Sequence, residues 1–318
     1  MDAVLTGLRA AAEPTRLRLL ALCAEAELAV TELTQAVGQS QPRVSRHLKV
    51  LSDAGLVERN REGSWVFYRL AENGAQGRLA RDILAHVAAH DEALARDFER
   101  LASVKEARAA AAAKYFRANA RRWDEIRALY VPESEVEAAL LAQFGRRPIG
   151  DFLDIGAGTA RLLEVFAPRI DRGLGLDLSR EMLVAAEARL KARGLTNCQV
   201  RRGDMYDLPL AAATMDAVVI HQVLHFADRP ARAIAEAARV LRPKGRIVIV
   251  DFAPHRLEYL RTEHAHRRLG FSNSEVARWY RDAGLAAGAP RRLQGEPLCL
   301  TLWPARKPAS RRTKRGAG

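Results

Sequence analysis

Asp154, Asp177 and Asp204, together with His221 and His225, are the side chains whose types and spacing suggest chemistry. Phe152-Leu153-Asp154-Ile155 runs into Gly156-Ala157-Gly158-Thr159-Ala160, and Leu162, Leu163, Val165 and Phe166 then give one apolar helix face. Glycines in such a turn let the backbone bend sharply and approach a nucleoside closely, while the helix N-terminus supplies free amides. Asp177 ends the next apolar run, 23 residues after Asp154, where a carboxylate can accept hydrogen bonds from both ribose hydroxyls. After the third run, Gly203-Asp204-Met205 offers a carboxylate to an adenine amino group and a thioether to its ring. His221 ends the fourth run and His225 follows it. Imidazole titrates near neutrality, so each can act as a base or simply as a wall of the site. A dinucleotide is disfavoured, because Arg161 occupies the third glycine position of G-x-G-x-x-G.

The elements that must position these groups are short β-rich runs separated by helical stretches. They are residues 152–155, 173–177, 199–201, 217–221, 246–251 and 298–302. Several are almost wholly apolar, as strands covered on both faces are, so an α/β, doubly wound, Rossmann-like parallel sheet is expected. Upstream, helical patterning dominates to about Phe144. The expected organisation is a first domain over 1–104, an Ala- and Arg-rich helical linker or lid over 105–148, a second domain over 149–305 and a basic, disordered tail over 306–318.

In the first domain, Thr31 to Val37 makes a short helix that Gly38 can close. Ser40 reads as an N-cap, Pro42 fits the first turn, and Val44, Leu48 and Leu51 mark one inward face of a second helix. Its other side presents Gln41, Arg43, Ser45, Arg46 and Lys49 to base edges and phosphates of double-stranded DNA. Residues 56–60 and 64–70 flank Arg61-Glu62-Gly63 as a hairpin, with Arg59 and Arg61 near its tip for backbone or minor-groove contact. Helix, turn, basic helix and wing, in that order, make an α+β winged helix-turn-helix.

The formal charge of +13 fits a polyanionic partner. The tail arginines and lysines are either a non-specific nucleic-acid contact or a solubilising end. No apolar run is long enough to span a bilayer, and the N-terminus has no signal-peptide pattern, so a cytoplasmic protein is expected. Cys23, Cys198 and Cys299 lie in apolar settings without paired spacing, which argues against disulfides. Asp82, His86 and His90 recur every four residues and can ligate zinc, but Ile83, Leu84, Val87 and Leu94 read the same stretch as an amphipathic helix, and no metal is assigned.

EPTRLRLLALCAEAELAVTEL followed by SQPRVSRHLKVLSDAGLVERNREGSWVFYRL resembles the ArsR family over roughly the first hundred residues. That resemblance implies a homodimer on a palindromic operator, with the helix around residues 82–94 at the dimer contact. The metal-sensing cysteines of many relatives are missing, since the matching stretch reads Ala29-Val30-Thr31-Glu32-Leu33. FLDIGAGTAR, GLGLDLS, RRGDMYDLPL, MDAVVIHQVLHFADRP and LRPKGRIVIVDF resemble, in order, class I S-adenosylmethionine-dependent methyltransferases over about residues 149 to 303. By that resemblance, Asp154, Gly156, Gly158, Asp177, Leu178, Asp204, Met205 and His221 face the cofactor. Asp154 and the glycines take its methionine end and turn, Asp177 the ribose, Asp204 and Met205 the adenine, and His221 lies beside the sulfur. Ala160 replaces a glycine often found in that turn. The segment 255–271, with His264, His266, Arg267 and Arg268, either binds an acidic acceptor or faces solvent. The expected function is a regulator whose second domain senses S-adenosylmethionine or S-adenosylhomocysteine. The alternative is an active small-molecule methyltransferase carrying a DNA-binding or dimerisation domain.

Overall fold

The computed structural model describes residues 1–71, 74–87, 91–127 and 130–309. Backbone proximity divides the chain into two compact units, residues 1–112 and Ala113 onward.

The first unit opens with α1 (Asp2–Ala11) and α2 (Pro14–Glu25); Glu13 caps α2 by accepting the Arg16 amide at 2.8 Å, and Pro14 fills the first position. β1 (Leu28–Ala29) leads into α3 (Val30–Val37), which Gly38 closes in the left-handed conformation. α4 (Gln41–Asp53) follows a tight turn, and β2 (Val57–Glu62) and β3 (Trp65–Leu70) form the wing, in a sheet ordered β1-β3-β2. Leu20, Leu33, Leu48 and Leu51 sit in one fully buried core, so the helix faces are held by apolar packing. Ser40 occupies the N-cap of α4, but its hydroxyl makes no capping bond; its carbonyl receives the Arg43 and Val44 amides instead. Glu62 pairs with Trp65, so the wing turns on Gly63 and Ser64 alone, and Arg61 and Glu62 belong to the strand rather than to the loop expected for them.

α5 (Gly74–Ala85) ends before His86, which lies in a turn, and α6 (Glu92–Asn119) starts afresh. The single helix expected through residues 82–94 is therefore not formed: Val87 and Leu94 belong to different segments, and Asp82 and His86 do not share a helical face. His90 lies outside the described residues. Among the described residues no group of histidine, cysteine, aspartate and glutamate side chains is arranged to hold a metal ion.

Lys105 and Arg108 lie within α6 and ion-pair with Glu25 and Glu32, so the boundary expected between residues 104 and 105 falls inside a helix that packs on the first unit. The second unit continues with a 3₁₀ turn, α7 (Trp123–Arg127) and α8 (Glu133–Gln143). Val136, Ala139, Leu140 and Phe144 are buried in the core of this unit, which makes α8 part of it rather than a free linker.

β4 (Ile149–Ile155), α9 (Arg161–Phe166), β5 (Ile170–Asp177), α10 (Arg180–Ala192) and β6 (Cys198–Arg202) come next. β7 (Met215–His221), α11 (Pro230–Val240), β8 (Leu241–Phe252), α12 (Tyr259–Glu263) and α13 (Asn273–Asp282) follow. β9 (Ala286–Ala287), β10 (Arg291–Leu293) and β11 (Leu300–Arg306) complete the sheet. Its order is β10-β11-β8-β7-β4-β5-β6, with β9 also paired to β11. From β8 to β6 the pairs are parallel, but β11 runs antiparallel to β8, β10 and β9, so the wholly parallel sheet expected is corrected at one edge. β11 extends through Arg306, and Lys307 Nζ donates to the Ala238 and Leu241 carbonyls at 2.6 and 2.8 Å; these two residues, expected in a disordered tail, are anchored. Residues 310–318 lie outside the described set. Among the described residues no helix is long and apolar enough to cross a membrane.

Candidate functional site

In the first unit, Gln41, Arg43, Arg46 and Lys49 are exposed on α4 and Ser45 is half-buried, while Val44, Leu48 and Leu51 face the core. The alternation follows from the helical period, which puts 44, 48 and 51 on one stripe. Gln41, Ser45 and Lys49 share a groove of about 450 Å³ with Arg59 of the wing, lined also by Trp65, Val66 and Tyr68. Arg59 and Arg61 are exposed on β2, two residues apart and hence on one face. The structure thus brings four of the seven expected contact residues into one groove, with Arg43, Arg46 and Arg61 exposed beyond its lining. Lys49 is held by Asp53 at 2.7 Å, an exposed pair that phosphate can displace at little cost. At the start of α3, Glu32 accepts the Ala29 amide at 2.8 Å and ion-pairs with Arg108.

In the second unit, β4 lies between β5 and β7 because connections leave it to both sides, the topology that opens a crevice at carboxyl strand ends. Register fixes what meets there. Ile155 pairs with Leu176 and Ile220, so Gly156, Asp177 and His221 follow at one level. Asp177 pairs with Arg202, and His221 with Val250, which brings in Asp204 and Asp251. Along the order β6-β5-β4-β7-β8, the strand ends therefore carry Asp204, Asp177, Asp154, His221 and Asp251.

Gly156 has φ +72° and a Cβ there would stand 2.5 Å from Val223 Cγ2, so only glycine lets the turn pass this close. A Cβ on Gly158 would be 3.2 Å from Trp123 Nε1, which places α7 directly over the turn. Ala160 is fully buried in the left-handed conformation, and its methyl group fits within the core at some backbone strain.

Asp177 is fixed by the backbone: its oxygens accept the Gly158 and Ser179 amides at 2.9 and 2.8 Å. Burial raises its carboxyl above the usual range, and these amides oppose the rise. Each carboxylate oxygen keeps a second lone pair, so a sugar diol can still be accepted. Leu178 beside it is 52% exposed. Asp204 Oδ1 accepts the Tyr206 amide at 2.9 Å, and Met205 is half-buried against the core.

Asp154 is buried, and its Oδ1 has no hydrogen-bond partner among the described residues. Burial pushes its carboxyl up to about 7, the Arg127 charge opposes this and Asp177 adds to it. The same holds for His221, where both ring nitrogens are buried without partners among the described residues. Burial first, then the Arg127 and His225 charges, hold His221 well below the ordinary imidazole range. It is thus a neutral wall and a weak base. A buried polar atom without a partner is costly, and several around one glycine cradle are what a site shaped for a polar ligand leaves open.

Asp154 holds its proton more tightly in the folded chain than in the unfolded one. Its folded pKa lies above the unfolded one, so the folded state binds more protons between about pH 4 and 7. The stability of the unliganded second unit should therefore be highest below about pH 4 as far as this group is concerned, and fall as pH rises to about 7. Asp154→Asn should flatten that slope in denaturant titrations across pH; an unchanged slope would remove Asp154 as its cause.

His225, unlike His221, is held by a carboxylate. Its Nδ1 lies 2.8 Å from Asp251 Oδ1, and its backbone amide donates to Asp251 Oδ2 at 3.2 Å. Phe252 N also donates to the fully buried Asp251 carboxylate, at 2.8 Å. With Nδ1–H turned to the carboxylate, Nε2 carries the lone pair. Asp251 was not singled out in the sequence, although an aspartate ending an apolar strand was a visible signal. Trp123 and Arg127 also went unnoticed, because nothing in their spacing ties them to the glycine turn.

The comparisons fit both units. Residues 13–59 match the profile of the bacterial regulatory protein, arsR family, and residues 153–249 that of the methyltransferase domain. Arsenic resistance transcriptional regulator ArsR1 of Pseudomonas putida is 44% identical over 30% of this chain and 74% of its own length. The chain belongs to the arsR family. To its helix-turn-helix this arsR-family chain adds a methyltransferase domain. An uncharacterized methyltransferase of Bacillus subtilis, YcgJ, is 31% identical over 32% of the chain and 41% of its own length. The crystal structure of YcgJ matches with a TM-score of 0.50 at 19% identity, over 55% of this chain and 99% of that one, a likeness of fold. The arsR-family chain spans less than half the length of some curated relatives it matches, 47% and 41% in two cases.

Proposed function

We propose that the protein is a cytoplasmic, DNA-binding transcriptional regulator, working as a homodimer, whose methyltransferase domain binds S-adenosylmethionine or S-adenosylhomocysteine and so sets operator affinity. The observation that carries this reading is the set of buried, unpartnered polar atoms of Asp154 and His221 beside the Gly156 cradle, in a chain that also bears the α4 and wing groove. Asp154 would meet the amino acid end of the nucleoside, Asp177 its ribose, and Asp204 with Met205 its adenine. Dimerisation is supported by the family and by Val4, Leu5 and Leu8, which leave one side of α1 apolar and exposed. Calorimetry with each sulfur nucleoside tests the binding: heat with either one is expected, and none from folded protein contradicts it. Binding should release a proton near pH 7, since the ligand's ammonium stabilises the ionised Asp154.

On the other face, Arg46→Ala should weaken operator binding by about 1 to 3 kcal/mol if the side chain reads a base. Measured on specific and scrambled duplexes, an equal loss on both would assign Arg46 to phosphate instead.

A second reading, an active small-molecule methyltransferase that carries a DNA-binding domain, is favoured by the His225–Asp251 pair. Sulfonium supplies an activated methyl group, and the chain's part is to align an acceptor, exclude water and take up its proton.

A further inference from the structure

Beyond Asp251 the carboxyl end of the sheet is a nest of rings. His266 stacks on His225 at 4.0 Å between centroids and on Phe252 at 5.5 Å, while Phe226 sits 4.0 Å from His225 and 4.8 Å from Phe116. Tyr115 holds His264 Nδ1 at 2.9 Å. Within this nest His266 Nδ1 and His255 Nε2 are buried and have no hydrogen-bond partner among the described residues. Buried polar ring atoms of this kind call for a partner, whether an ordered water or a ligand.

The charge of this region is balanced, contrary to the basic acceptor face that the sequence admitted. Arg267 and Arg268 are buried, not solvent-facing, and lie against Asp228 at 3.4 Å and Glu275 at 2.7 Å. Arg261 pairs with Glu258 at 3.3 Å. Burial pulls His255 down to about 4 and lowers His264 and His266 as well, so these imidazoles are neutral at physiological pH. An anionic acceptor would find cations already matched by acids. A planar, uncharged one would find aromatic faces and neutral acceptors and donors.

Resting on the second reading above, the geometry points to a neutral aromatic hydroxyl compound, a phenol, as the methyl acceptor, with His225 as its general base and Asp251 as the residue that positions His225. In the transfer, the acceptor oxygen bonds to the methyl carbon of S-adenosylmethionine and the carbon–sulfur bond breaks with its electron pair left on sulfur. The hydroxyl proton passes to His225 Nε2 and then to water, leaving a methyl ether and a thioether. A base matters only where the nucleophile must lose a proton. An imidazole reaches phenols, whose pKa is about 10, far more readily than aliphatic alcohols.

The test uses the full chain saturated with S-adenosylhomocysteine and, as probes, catechol, benzoate and cyclohexanol. In nitrogen NMR of labelled histidines, His225 should show an Nδ1–H tautomer, and catechol alone should shift its Nε2 resonance. With S-adenosylmethionine, His225→Gln and Asp251→Asn should each lower methyl transfer to catechol by about 10²- to 10⁴-fold; His225→Gln should lose the acidic limb of the rate profile, while Asp251→Asn, which keeps the imidazole, should displace that limb without abolishing it. Retained nucleoside affinity reports that either variant has folded, and the wild-type NMR stands if one has not. Nucleoside binding with no His225 response to catechol, or a response to benzoate instead, would overturn this inference alone. Failure to bind the nucleoside at all would overturn the proposed function together with it.

Discussion

Asp177→Ala is expected to weaken binding of S-adenosylhomocysteine by about 10²- to 10⁴-fold. The proposed role of Asp177 is to accept two ribose hydroxyls, and each hydrogen bond to a charged group contributes about 1.5 to 3 kcal/mol, with 1.4 kcal/mol for each tenfold in affinity. The substitution also strips the Gly158 and Ser179 amides of their acceptor, which loosens the turn that cradles the ligand. Asp177→Asn keeps the shape and one carbonyl oxygen, so its loss should be smaller. Calorimetry measures both. A change under about threefold for the alanine variant, with helix content unchanged by circular dichroism, would place the ribose elsewhere.

That prediction was within reach of the sequence, and the reason is local. Apolar runs bounded by glycine or aspartate mark buried parallel strands, so the ends of β4, β5 and β7 were found with Asp154, Asp177 and His221 on them. Register between neighbours then follows from topology. The antiparallel edge was not legible, since the direction of Leu300–Arg306 depends on the hairpin through β10, which no periodicity records. Nor was the break between α5 and α6: apolar spacing through residues 83–94 fits one helix, and only the three-dimensional path shows two. The His225–Asp251 pair lies 26 residues apart in sequence and is made by the pairing of β7 with β8, so it too required the fold. Likewise, Arg267 and Arg268 look like a basic surface in sequence, while Asp228 and Glu275, which neutralise them, are brought in from other elements.

The largest expected loss of stability is in the first unit. Asp97 is fully buried in α6 and takes Arg18 Nε and Nη2 at 2.5 and 2.6 Å and Arg100 Nη2 at 2.7 Å. Those same arginines donate to the Val37 and Ala36 carbonyls at the end of α3, so one carboxylate ties α2, α3 and α6 together behind the recognition helix α4. Removing one member of such a buried group leaves charge without its partner and costs about 3 to 5 kcal/mol. The lower end is expected for Asp97→Ala, because the Arg100 side chain is 46% exposed and can return to water. In a denaturant titration only the transition of the first unit should move, while the second keeps its midpoint. A loss below about 1 kcal/mol would show that the arginines find other partners at no cost.

In the proposed function, nucleoside occupancy of the second unit and DNA affinity of the first are linked in one chain. Fluorescence anisotropy of a labelled operator duplex, titrated with protein in the absence and presence of saturating S-adenosylhomocysteine or S-adenosylmethionine, measures it directly. A shift in the operator dissociation constant of about 5- to 150-fold with one of the two is predicted, and calorimetry on the DNA complex should return the same factor for the nucleoside. An operator affinity that does not move, while calorimetry shows the nucleoside bound, would contradict it.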